Sequence, residues 1–160
     1  MKYIWIASCL WLMTCSMQSF AQPPQLQAGG KIQRIDHDGQ DAPQVFDAER
    51  WTIVALIQRR GVTVQWACEP FRLVSDPSAA VDAQLSIEIT KSNRGTRWVE
   101  SIPQARTDFR MGNLEALVMV ESDDAGVAQA GLTVTFLGDE IPLLMAGEYE
   151  TTVIGTITEN

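Results

Sequence analysis

This chain is poor in the residues that usually carry chemistry. It has one histidine, His37, and three cysteines, Cys9, Cys15 and Cys68, among 160 residues. A zinc centre takes three or four protein ligands, usually more His and Cys than this chain offers. A Ser-His-Asp triad would have to use His37, and no G-x-S-x-G nucleophile elbow occurs. No Gly-rich phosphate loop follows a strand-like segment. Asp36, His37 and Asp38 read as a solvated acidic loop. Glu121, Asp123 and Asp124 lack the spacing of a twelve-residue calcium loop and read as a charged turn. A glycosidase carboxylate pair would have to meet purely in space, with no local support. The expectation is a non-enzymatic protein with no cofactor and no metal.

Positive charge is also scarce. Twelve Lys and Arg face twenty Asp and Glu, for a net charge of −8. Such a chain repels phosphate backbones, so nucleic acid is not an expected partner.

Long apolar runs are missing as well. The longest, Tyr3 to Met13, falls short of the roughly 18 residues that span a bilayer. Lys2 precedes it and Ser19-Phe20-Ala21 follows, the three parts of a secretory signal peptide over residues 1–21. An uncleaved anchor, a buried N-terminal helix and lipoprotein processing before Cys15 are the alternatives. The expected address is secreted, in the periplasm or at the cell surface, with no integral membrane span after processing. Removal of the signal takes Cys9 and Cys15 with it. Cys68 then stands alone in an apolar context, where a free cysteine packs as a small hydrophobe.

What is present is period-2 patterning. Residues 22–30 read as an extended or flexible arm, with Leu26, Ala28, Gly30 and Ile32 on alternate positions. Trp51 to Ile57 is apolar on both faces, like a central strand. Arg59-Arg60-Gly61 reads as a reversal, after which Val62, Val64 and Trp66 alternate with Thr63 and Gln65. Pro70 interrupts the ladder because it has no backbone N–H. Phe71 and Leu73 resume it, and residues 75–80 read as a loop. Leu85, Ile87 and Ile89 form the cleanest half-buried strand. Asn93-Arg94-Gly95 supplies a turn from which residues 97–99 would return antiparallel. Residues 102–113 read as a connection, Leu114 to Val120 as a strand, and Leu132, Val134 and Phe136 as another. Residues 148–158 close the chain, with Tyr149, Thr151, Val153, Gly155 and Ile157 on one face.

Seven or eight short strands at this spacing predict an all-β sandwich or barrel. The expected form is a two-sheet antiparallel sandwich over residues 31–160. Expected inward positions are Ile53, Val64, Trp66, Leu73, Leu85, Ile87, Ile89, Leu114, Val118, Val134, Phe136, Tyr149 and Val153. Trp51 and Trp66 sit in phase with apolar neighbours and read as core. Trp98, beside Arg94 and Arg97 near a turn, reads as an exposed binding aromatic.

The ending Ala146-Gly147-Glu148-Tyr149-Glu150-Thr151-Thr152-Val153-Ile154-Gly155-Thr156-Ile157-Thr158 resembles the closing strand of bacterial pilin-like subunits, including spore-coat-U-like proteins. The resemblance implies an immunoglobulin-like sandwich and a surface or fimbria-associated structural or adhesion subunit. It also implies self-association, in which an N-terminal arm of one subunit fills a groove in the next; here the arm would present Leu26, Ala28, Gly30 and Ile32. The chain departs from that family in lacking a cysteine pair and a near-terminal aromatic residue. The alternative function is a monomeric periplasmic module binding a glycan or a protein through Trp98, Arg97 and Arg94.

Overall fold

A computed structural model describes residues 22–29, 33, 42–138 and 144–160. The expected signal peptide, the acidic loop around His37, and Gly30 and Ile32 of the arm lie outside the described residues. Among those described, the chain forms thirteen strands and one 3-10 turn, and every strand pairing is antiparallel. The fold is all-β and sandwich-like, as the alternation predicts.

One sheet runs β1 (Gln25–Ala28), β3 (Glu49–Ala55), β11 (Gly126–Phe136), β7 (Ala83–Ser92) and β9 (Gln104–Arg106), with the short β2 (Gln44–Val45) also on β11. The facing sheet runs β13 (Val153–Glu159), β4 (Val62–Cys68), β10 (Ala116–Ser122) and β8 (Trp98–Ile102). A third, small sheet joins β12 (Tyr149–Glu150), β5 (Phe71–Leu73) and β6 (Asp76–Val81).

The core lies between the two large sheets. Strict alternation builds it: Val62, Val64, Trp66 and Cys68 of β4 meet Ala116, Val118 and Val120 of β10, and all are buried. Opposite them lie Ile53, Leu85, Ile87, Ala128, Ala130 and Leu132. Full burial of such aliphatic side chains is worth about 1.5–3 kcal/mol each. Trp51 and Trp66 meet edge to face at 5.9 Å, and Phe46, Phe71, Phe136 and Tyr149 form a second aromatic row.

Pro70 explains the small sheet. β4 pairs with β13, and the same two stretches pair again beyond the interruption as β5 and β12. At the break the Thr151 hydroxyl donates to the Glu69 carbonyl at 2.7 Å. The closing stretch is therefore two strands, not one.

Several expectations need correction. Residues 76–81 form a strand, because an edge position tolerates Pro77; Asp76 accepts from the Ser78 N–H and hydroxyl at its start. Residues 97–99 do not return beside β7. The chain crosses to the other sheet, where β8 pairs with β10. It crosses back at Pro103, whose carbonyl accepts from the Ile87 N–H, and β9 then pairs with β7. The expected connection over 102–113 thus holds β9 and a 3-10 turn. Leu114 is 45% exposed rather than inward, since β10 begins two residues later. β11 extends back to Gly126 through Ala128, Ala130 and Gly131, residues too small to mark a strand by pattern.

The expected arm is the domain's own first strand along residues 25–28. Leu26 pairs with Ile53 across β1 and β3. Its side chain lies where a Cβ on Gly155 would sit, next to Trp51. The missing side chain at Gly155 is what lets Leu26 close that side of the sandwich.

Candidate functional site

β10 runs from one end of the sandwich to the other, and at each end a loop presents apolar side chains to solvent. The first loop precedes β10. Thr107, nearly fully buried, donates its hydroxyl to Asp82 at 2.7 Å and accepts from the Ala83 N–H at 2.9 Å. The same Asp82 oxygen accepts from the Phe109 N–H at 2.8 Å. Asp82 is itself 8% exposed, so these bonds compete little with water.

From this anchor a 3-10 turn runs over Phe109–Met111. Asp108 caps it, its carboxylate accepting from the Met111 N–H at 3.0 Å. Gly112 ends it in the left-handed region, at φ +80°, which a side chain would disfavour. Asp108 and Asn113 exchange two backbone hydrogen bonds, and the Asn113 amide donates to the Arg106 carbonyl. A loop bound at so many points has little freedom to turn its side chains inward. Phe109 is 39% exposed, Met111 82% and Leu114 45%. Arg110 and Glu115 flank them.

The second region is the turn between β3 and β4. The Gly61 N–H donates to the Gln58 carbonyl at 2.8 Å, and Gly61 has φ +79°. A Cβ there would collide with the Ser122 carbonyl. Ser122 also accepts from the Val62 N–H through its hydroxyl. Gln58 turns inward, donating to the Gln22 carbonyl and to Glu159. With Gln58 inside, Leu56 and Ile57 are left outside, 59% and 47% exposed. Across from them stands the 123–125 turn. Leu56, Ile57, Arg59, Asp124 and Ala125 line an open cleft of about 560 Å³.

The structure brings part of the expected binding set to this end. The 93–97 loop packs on the 123–125 turn: Thr96 donates to the Ala125 carbonyl, and the Arg97 N–H to Asp123 at 3.0 Å. Asn93 accepts from the Val127 N–H at 2.8 Å. Arg94 and Arg97 are exposed here, on the same end as Arg59 and Arg60. Trp98 differs from expectation. It is half-buried and packs against the core, and its indole N–H is buried without an acceptor among the described residues. Any contact surface here therefore rests on Arg94, Arg97 and the Leu56–Ile57 pair rather than on an exposed indole.

Of the other candidates, Asp123 and Asp124 each accept a backbone N–H. Among the described residues no three His, Cys, Asp or Glu side chains are arranged to hold a metal ion. Cys68 is buried and free. Burial first, and the charge of Glu115 second, push its thiol up to about 12, so it stays protonated and poorly nucleophilic at neutral pH. Leu26 and Ala28 are engaged within their own chain, in β1.

The Phe109–Leu114 loop was missed by pattern reading. Its apolar residues fall at irregular spacing between polar ones, and such residues read as core or as connection. The one signal was the Asp108 to Asn113 stretch, a cap residue followed by Gly-Asn. Comparison with family models, with curated proteins and with solved structures gives no match to this chain.

Proposed function

We propose that this chain is an exported, non-enzymatic subunit of a surface or fimbria-associated assembly, acting through protein contact. The observation that carries the reading is the pinned 107–115 loop holding Phe109, Met111 and Leu114 in water. Large apolar and Met side chains on a rigid support are what protein interfaces place at their centres. A loop ordered before contact loses little entropy when it docks. The leader-like N-terminus and the pilin-like closing stretch support the address.

The test is fractionation of the tagged full chain in cells of its source. The parent is expected in the surface fraction. Met111→Asp, at a position 82% exposed, is expected to fold normally and to leave that fraction. A cytoplasmic parent, or a variant retained at the surface as well as the parent, overturns the reading.

A second reading is favoured by the cleft beside Arg94 and Arg97: a monomeric periplasmic module for a glycan or a protein. Arg94→Ala with Arg97→Ala would then abolish retention on an immobilised acidic glycan while leaving the surface fraction unchanged.

A further inference from the structure

The chain enters its first strand from a short lead that lies on the surface. Gln22 and Pro23 are exposed, Pro24 is half-buried, and β1 begins at Gln25. The main-chain carbonyl of Gln22 accepts from the Gln58 side-chain amide at 3.3 Å, and the same amide donates to Glu159 at 3.1 Å. Gln58 is 6% exposed, so this bond ties the lead to a buried group. Among the described residues no partner holds the side-chain amide of Gln22 itself. Ser19-Phe20-Ala21 places the leader cut directly before Gln22. Cleavage there makes Gln22 the terminal residue, with a free α-amine and a free side-chain amide on the same residue.

We propose that Gln22 of the processed chain closes into a pyroglutamyl lactam. The inference goes beyond contact with a partner, and it rests on the export reading above through the cut after Ala21. The α-amine nitrogen attacks the side-chain carbonyl carbon and forms a five-membered ring. The bond from that carbon to Nε2 breaks, and Nε2 leaves as ammonia with the proton the amine gives up. Nothing is oxidised or reduced. A free α-amine ordinarily loses its proton near about pH 8, so a working fraction is neutral under mild conditions. The ring leaves the main-chain carbonyl of residue 22 intact, so the bond from Gln58 survives the reaction. Pro23 has no backbone N–H and a fixed φ, so closing the ring disturbs no donor at the next residue. The lactam carries no ammonium, the group by which exopeptidases grip a chain end. The residue whose carbonyl binds the buried Gln58 is thereby kept on the chain.

The experiment is intact-mass and N-terminal analysis of the full chain, expressed with its own leader in cells of its source and recovered from the envelope and the medium. The parent is expected to begin at residue 22 and to weigh one ammonia less than the open chain. It is also expected to resist stepwise Edman degradation until pyroglutamyl aminopeptidase removes the ring. Gln22→Asn, whose shorter side chain would need a strained four-membered ring, is expected to carry an open amine at the same cut. A parent that begins at Gln22 with its amine free, as Gln22→Asn does, overturns the lactam and leaves export standing. So does a cut at any other place, including one before Cys15. A variant blocked as fully as the parent, with the same missing ammonia, assigns the loss to another residue and also overturns the lactam. A parent that keeps residues 1–21 overturns the lactam and the export reading together.

Discussion

The two ends of the sandwich are fastened by the same device, a polar side chain bonded to the backbone of another segment, but at different depths. At the 107–115 end the fasteners are Asp82 and Thr107, both buried. At the other end, one wall of the cleft is held by the buried Gln58 and Ser122, and the facing wall by the exposed Asn93 and Asp123. A hydrogen bond out of water costs more to lose than one in it, because the abandoned partner finds no solvent replacement. The 107–115 loop is thus preformed, and the cleft pairs a wall held by buried bonds with one held by exposed bonds.

The comparison can be broken most severely through the rigid wall of the cleft. Gly61→Val places a side chain against the Ser122 carbonyl in a left-handed conformation. It is expected to cost at least about 3 kcal/mol, seen as a large fall in the urea midpoint. Next comes Asp82→Ala, which strands the Thr107 hydroxyl and the Phe109 N–H. The expected loss is about 2–3 kcal/mol, with faster amide exchange over 107–115. Asn93→Ala, which removes an exposed fastener, is expected to cost about 0.5–1 kcal/mol. Equal costs for Asp82→Ala and Asn93→Ala, measured by the same denaturation, would erase the difference in depth on which the comparison stands.

Cys68 offers a finer probe, since it lies opposite Ala116 at the 107–115 end. Its thiol is pushed up from 9.0 to about 12 in the folded chain. Between these values the unfolded chain has lost the proton and the folded chain keeps it. Stability from this group is therefore complete below about pH 9 and falls as pH rises toward 12. Alkylation of Cys68 at pH 8 should be slow in the parent and should quicken more in Asp82→Ala than in Asn93→Ala. Rapid alkylation of the folded parent would contradict the burial of that end.

Much of the fold was legible. Val62, Val64 and Trp66 alternate with polar residues and face inward as read. The reversal at Arg59-Arg60-Gly61 forms on the residue that tolerates positive φ, and Cys68 is buried as its neighbours suggested. The misses share a cause. The first half of β11 is built from Gly and Ala, which carry no amphipathic signal. The crossing of residues 93–97 depends on Asn93, Thr96 and the Arg97 N–H bonding to residues 123–127, some thirty residues away, which no local pattern announces. The arm was readable as extended, but whether it closes its own sandwich depends on Leu26 finding the space that Gly155 leaves. Of the candidate site, Arg94 and Arg97 were visible as charges. Phe109, Met111 and Leu114 were not, because a greasy residue in a sequence is read as inward until something shows that it is held out.

The sequence alone determined the strand character of most segments, their inner and outer faces and several turns, because two-residue periodicity and backbone preferences act locally. The tertiary structure decided which sheet each strand joins, which side chains remain outside and which loops share an end. Antiparallel pairing satisfies backbone groups equally well with many partners, and only packing and long-range hydrogen bonds choose among them.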